Sequence, residues 1–237
     1  MHLKSVAIRS HDFPTIDFYP FNQEIFRATE GVKFRSPVSF FVGENGSGKS
    51  TLLKAIASKC DIHIWRENFS RPYQTNLYEN DLCKYIELEW IDKQVPGCFF
   101  AADNFRNFAI VLDDWARTDP GILKYFGGES LITKSHGQCH MAFFRSRYAI
   151  EGLYLLDEPE NALSPKKQVE FLQVLKENTE AGHAQFIIAT HSPILLAFPG
   201  ADIYSFDQVP IQSIQYEETD YYKVYRDFLQ DREKYMP

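Results

Sequence analysis

Gly43-Glu44-Asn45-Gly46-Ser47-Gly48-Lys49-Ser50-Thr51 has the spacing G-x-x-x-x-G-K-S followed by threonine. Glycines at these positions let successive backbone N–H groups turn inward and form an anion nest. A helix starting at Lys49 adds the positive end of its dipole. Lys49 then places a point charge on the outer phosphates of a nucleotide. Ser50 offers a hydroxyl to Mg2+, and Thr51 reaches the innermost phosphate.

Two further segments carry chemistry. Leu153–Leu156 is an apolar run that ends in Asp157-Glu158-Pro159. Carboxylates at the end of a buried strand are costly unless a cation or a water uses them. Beside a phosphate loop the first, Asp157, suits Mg2+, and the second, Glu158, suits a water as general base or orienter. Phe186–Ala189 is another apolar run, ending in Thr190-His191-Ser192-Pro193. His191 would then lie on the sheet edge where open α/β sheets bind ligands. There it can contact a γ-phosphate or hold Glu158 in place.

These residues need strands that end together. Val38–Val42 reads as a buried strand before the phosphate loop, and Leu52–Ala57 continues a helix after it. Strand-like runs alternating with helical periodicity predict a mainly parallel α/β sheet. Ile62–Trp65 and Tyr85–Trp90 alternate as half-buried strands do and predict an antiparallel flap. Phe105, Phe108, Ala109, Leu112 and Trp115 recur at helical spacing, with Asp103 as N-cap. Ser164-Pro165 opens a helix with Val169, Leu172 and Leu175 on one face. A last helix from about Asp220 carries Val224, Phe228 and Leu229, with aromatics read as packing.

The 237 residues are 44% hydrophobic and 24% charged, which excludes a disordered or fibrous chain. No apolar run reaches the roughly 18 residues of a membrane span, and the first residues make too short a run for a secretory signal. The net charge of -7 argues against nucleic-acid binding over the whole surface. Arg145, Arg147, Lys166 and Lys167 are the candidates for a local basic patch, against a reading as solvated helix charges. Cys60, Cys83, Cys98 and Cys139 show no CxxC pairing, so neither zinc nor disulfides are expected. A cytoplasmic protein without membrane insertion is the expectation.

With these motifs the chain resembles the ATP-binding cassette (ABC) class of P-loop ATPases over nearly its whole length. It looks closest to small stand-alone bacterial ATPases of the soluble branch, akin to the heads of chromosome-maintenance and recombination-repair proteins. Gly43–Thr51 resembles Walker A, Leu153–Glu160 resembles Walker B with its glutamate, and Ala189–Leu195 resembles the switch-histidine motif. Asn161-Ala162-Leu163-Ser164 sits where the D-loop follows.

The resemblance implies an ABC-ATPase-like α/β fold in a single domain, residues 1–237. It would comprise a parallel sheet, an antiparallel flap near 60–98 and a helical subdomain near 103–147. It implies ATP and Mg2+ as ligands. Lys134-Ser135-His136-Gly137-Gln138 stands where the family has its LSGGQ signature. Ser135, Gly137 and Gln138 match, whereas Lys134 and His136 depart from it. In the family this segment binds the γ-phosphate held by a second subunit, which implies a homodimer with composite sites. Asp103 and Asn104 are the alternatives for the missing glutamine that meets Mg2+ or water. Tyr19, Phe21 and Phe26 are the alternatives for the aromatic that stacks on adenine. About 84 residues between Thr51 and Ser135 leave no room for a long coiled coil.

The implied activity is Mg2+-dependent ATP hydrolysis coupled to a conformational switch. The alternatives are a slow, ATP-gated interaction module with a DNA-repair, defence or regulatory partner, and a transporter ATPase subunit. No residue identifies a DNA or protein partner.

Overall fold

The computed structural model describes residues 1–65, 76–126, 128–131 and 136–236. In chain order the first half contains β1 (Leu3–Ile8), α1 (Glu24–Ala28), β2 (Gly31–Lys33), β3 (Val38–Val42), α2 (Lys49–Lys59), β4 (Ile86–Trp90) and β5 (Gly97–Ala101). The second half contains α3 (Phe105–Thr118), α4 (His136–Arg147), β6 (Gly152–Asp157), α5 (Pro165–Glu180), β7 (Ala184–Ala189) and α6 (Pro193–Leu196). It ends with β8 (Asp202–Ser205), β9 (Gln212–Ile214) and α7 (Asp220–Gln230).

The main sheet has the order β5-β6-β7-β3-β8-β9, parallel except for β9. Its central strands are buried on both faces, so they read as continuous apolar runs. Successive side chains still alternate. Phe41, Leu155 and Ile187 face a core shared with α2 and the antiparallel sheet, whereas Phe40, Leu156 and Ile188 face the core under α3, α4 and α5. That antiparallel sheet has the order β2-β1-β4. A bulge between Leu3 and Ser5 brings Leu3 and Val6 to the same buried face.

The flap therefore differs from its expected makeup. Of the span 60–98, β4 joins the antiparallel sheet, whereas β5 belongs to the parallel one. Ile62–Trp65 forms no strand, despite its alternation. Asp61 takes a left-handed conformation at φ 57° and ends α2. Ile62 N–H then reaches back to Ala57 O at 2.9 Å, a Schellman-type closure that uses the backbone a strand would need.

Three helix details also differ. α3 starts at Phe105 behind a 3-10 turn, and neither Asp103 nor Asn104 caps it with its side chain. Ser164 caps α5 as expected, but the buried face is Gln168, Phe171, Val174, Leu175 and Asn178, with Val169 exposed. On α7, Val224, Phe228 and Leu229 are exposed instead of packed. No disulfide joins the four cysteines. Among the described residues, no helix is long and apolar enough to cross a membrane.

The register fixes the functional edge. Ala101, Asp157, Ala189 and Phe41 stand in one cross-strand row. The phosphate loop, Glu158 and His191 all follow residues of that row or its immediate neighbours.

Candidate functional site

β3 delivers the chain into the loop Gly43–Gly48, and α2 begins at Lys49. Gly48 sits at φ 106°, and a Cβ there would stand 2.8 Å from the Phe26 ring. Only glycine fits both demands. Gln23 Nε2 donates to Gly46 O at 3.0 Å and braces the loop from the α1 side. Asp207 accepts from Glu44 N at 2.7 Å on the other side. Lys49 is buried, and its Nζ donates to Gly43 O at 2.5 Å and Glu44 O at 2.9 Å. Burial pushes the lysine pKa down, against the pull of Glu158, Asp207, Asp157 and Glu44. A cavity of about 190 Å³ opens against this loop, lined among others by Tyr19, Asn45, Lys49, Ser50, Thr51 and Glu158.

Ser50 and Lys54, one helical turn apart on α2, both face Asp157. Ser50 Oγ donates to Asp157 Oδ1 at 2.6 Å, and Lys54 Nζ lies 3.8 Å from Oδ2. The Asp157 side chain is 11% exposed, and burial raises its pKa.

Glu158 leaves the strand with φ 48°, a left-handed turn that a non-glycine residue adopts at a cost of about 1–3 kcal/mol. The turn points its carboxylate along the edge. Oε2 accepts from Asn161 Nδ2 at 2.9 Å, and Oε1 lies 3.2 Å from His191 Nε2. His191 is held in turn through its backbone N–H, which donates to Glu160 Oε1 at 2.6 Å. Burial raises the Glu160 pKa, opposed by that hydrogen bond. Next in the chain, Ser192 caps α6 and donates to the buried Gln168 Oε1 at 2.5 Å.

Residues 3–60, which hold the phosphate loop, match a family model described as "AAA domain". Residues 140–197, which hold Asp157, Glu158 and His191, match one described as "AAA domain, putative AbiEii toxin, Type IV TA system". No curated protein sequence matches. Among solved structures, the SMC head domain from Thermotoga maritima is similar at 16% identity and TM-score 0.50, covering 91% of this chain and 99% of its own. The cbiO1 protein of Clostridium perfringens, part of the ABC transporter complex cbiONQ, is similar at 14% identity and TM-score 0.54, with 98% and 97% coverage.

Two segments of the chain thus match AAA-domain models, and its α/β fold is the one shared by the SMC head and ABC cassette structures.

The structure gathers Lys49, Ser50, Asp157, Glu158 and His191 at one edge. Lys134 and Ser135 of the expected signature segment lie outside the described residues. Gly137 and Gln138 fall in the first turn of α4. Of the three aromatics, Phe21 and Phe26 are fully buried core residues, and Tyr19 lines the cavity with its hydroxyl bonded to Thr51. Asp103 and Asn104 follow Ala101 on the same edge, and among the described residues no hydrogen bond joins them to Asp157 or Glu158. Lys167 pairs with Glu170 at 2.6 Å and Arg147 donates to Gly97 O at 3.4 Å, so these two basic residues are engaged within the fold.

Two residues of the edge carried no sequence signal of their own. Glu160 reads as one more acidic residue after the strand. Tyr221 reads as packing on α7, yet its hydroxyl donates to Gly43 O at 2.9 Å and lies 2.5 Å from His191 Nδ1.

Proposed function

We propose that the domain binds ATP with Mg2+ and hydrolyses it to ADP and phosphate, as a homodimer that sandwiches two nucleotides. The reading is carried by one convergence: Ser50 on Asp157 and Glu158 on His191, both beside the phosphate-loop cavity. The loop amides and Lys49 hold the phosphates. Glu158, oriented by Asn161 and His191, takes the proton of the attacking water. His191 monitors the γ-phosphate. Catalysis of this kind is mostly positioning and electrostatic stabilisation.

The donor set suits Mg2+. Asp157 is a nearly buried carboxylate whose only cation within 4 Å among the described residues is Lys54, at 3.8 Å, and Ser50 adds a second oxygen. Magnesium uses one or two protein oxygens and takes the rest from phosphates and water. Accordingly, no group of three or more His, Cys, Asp or Glu residues forms a protein-only metal site among the described residues. Ser50 and Asp157 would hold the ion, which when bound neutralises phosphate charge.

Ser135, Gly137 and Gln138 are proposed to complete the partner subunit's site, on the strength of the family pattern. ATP binding would close the dimer and hydrolysis reopen it, which makes the cycle a conformational switch. The test is phosphate release at several protein concentrations for the wild type and Glu158→Gln. The expected result is a rate per subunit that rises with concentration and falls by about 10²–10⁴ in the variant. An unchanged rate in Glu158→Gln would overturn the assignment. Negligible release from the wild type, with nucleotide still bound, would replace turnover by ATP-gated association.

A further inference from the structure

Tyr221 stands in the first turn of α7 and reaches back to the phosphate loop. Its ring meets the His191 ring edge-on, with centroids 5.1 Å apart and planes at 83°. The approach is fixed at two more points. Thr219 caps α7 by accepting from Tyr222 N, and Tyr216 OH donates to Pro193 O at 3.0 Å. Tyr216 and Tyr221 thus grip the His191–Pro193 segment from one side.

A hydrogen inventory decides the direction of each contact. A carbonyl oxygen only accepts, and it has two lone pairs. Gly43 O therefore takes both the Lys49 ammonium at 2.5 Å and the Tyr221 hydroxyl at 2.9 Å. A phenol has a single hydrogen to give. With that hydrogen on Gly43 O, the Tyr221 oxygen accepts from His191, so Nδ1 bears a hydrogen. Nε2 faces the Glu158 carboxylate at 3.2 Å, which only accepts, so Nε2 donates there and His191 carries a hydrogen on each ring nitrogen.

We propose that Tyr221 is a positioning residue of the site: its hydroxyl, seated on the Gly43 carbonyl, keeps a hydrogen on His191 Nδ1 and aims Nε2 at Glu158. Gly43 O becomes the one atom shared by the lysine that meets phosphate and the tyrosine that sets the histidine. The phenol keeps its hydrogen at all ordinary pH, because burial and the charges of Glu44, Asp207, Asp220 and Glu158 push its pKa up. The consequence for turnover rests on the ATPase reading above, whereas the hydrogen placement does not.

The test uses the full chain with ¹⁵N-labelled histidine and the variant Tyr221→Phe, which keeps the ring and its packing. His191 is one of seven histidines, and His191→Gln assigns its ring-nitrogen signals. The expected result is a hydrogen-bearing Nδ1 in the wild type that shifts toward a bare nitrogen in Tyr221→Phe. A bare Nδ1 in the wild type, or identical spectra, would overturn the proposal. In phosphate release, Tyr221→Phe is expected to lower kcat about tenfold, the size of one hydrogen bond. KM for ATP stays within about twofold, and the same change adds no loss in a His191→Gln background. An equal loss in both backgrounds would also overturn it. A wild type that releases no phosphate removes the ATPase reading and leaves the ring-nitrogen result to decide.

Discussion

Ser50 donates to Asp157 across 2.6 Å although 107 residues separate them. The contact exists because β3 and β6 flank β7 in one parallel sheet and end on the same edge. The sheet thus brings a carboxylate, most of its surface lost to water, against the first turn of a helix that also carries Lys54. That carboxylate is expensive without a cation, and the cost makes it testable.

Asp157→Asn should stabilise the nucleotide-free, metal-free protein while abolishing phosphate release. Burial raises the Asp157 pKa in the folded chain. A carboxyl with a raised folded pKa binds its proton more tightly when folded, so stability falls as pH rises through that window. The penalty is fully present above the raised value. The amide keeps an oxygen for Ser50 and removes the charge. A gain of about 1 kcal/mol, or roughly 2–4 °C in Tm for a chain of this size, is expected near neutral pH. It should shrink as pH falls toward the ordinary carboxylate range near pH 4. Calorimetry across pH checks it, and a lower Tm for the variant at neutral pH would mean that Lys54 and Ser50 already offset the burial cost.

Glu160→Gln should act differently from Glu158→Gln. The Gln amide oxygen still accepts from His191 N, but as a neutral rather than a charged acceptor. Such a change weakens a hydrogen bond by about 1 kcal/mol, so kcat should fall about fivefold with KM unchanged. A loss as large as that of Glu158→Gln would show that Glu160 meets the water itself.

Two glycines of the phosphate loop separate shape from space. Both have positive φ, 83° at Gly46 and 106° at Gly48, but a Cβ at Gly46 meets nothing within 4 Å. Gly46→Ala should carry only the backbone cost, about 1 kcal/mol. Gly48→Ala also drives a methyl into Phe26 and Gln23, the brace of the loop. ATP affinity by titration calorimetry should drop at least tenfold in Gly48→Ala and only a few-fold in Gly46→Ala. Equal losses would mean that the loop yields by moving Phe26.

The sequence made the sheet edge legible because two apolar runs end in polar residues and a third runs straight into the glycine-rich loop. In a parallel sheet those ends must coincide, which is why Lys49, Asp157 and His191 could be placed together without coordinates. Patterning misled where burial did not follow hydrophobicity. On α5 the inward stripe contains Gln168 and Asn178, which satisfy themselves on Leu163 O at 3.0 Å and Val174 O at 2.6 Å. That rotates the face away from Val169. Ile62–Trp65 alternates like a strand, but a helix C-cap at Asp61 claims its backbone. Tyr221 had no local pattern to read. Its role depends on where α7 lands relative to a strand almost 180 residues earlier, |i−j| being 178 for its bond to Gly43.

Ser192→Ala is the sharpest stability test of how the His191 segment is held. The Ser192 hydroxyl accepts from Leu195 N at 3.2 Å as the cap of α6 and donates to Gln168 Oε1 at 2.5 Å. Both groups are buried. Losing a serine cap costs about 1 kcal/mol. Leaving the Gln168 oxygen without its donor costs a further 1–3 kcal/mol or so. The sum, about 2–4 kcal/mol, corresponds to roughly 4–16 °C in Tm. Gln168→Leu by itself takes the donor from Leu163 O, so the recovery is read as a smaller Ser192→Ala loss in the Gln168→Leu background, where no Gln168 oxygen is left to strand. Failure to recover would assign the whole loss to the cap and to the start of α6. In that case the link between α5 and the histidine segment would be packing alone.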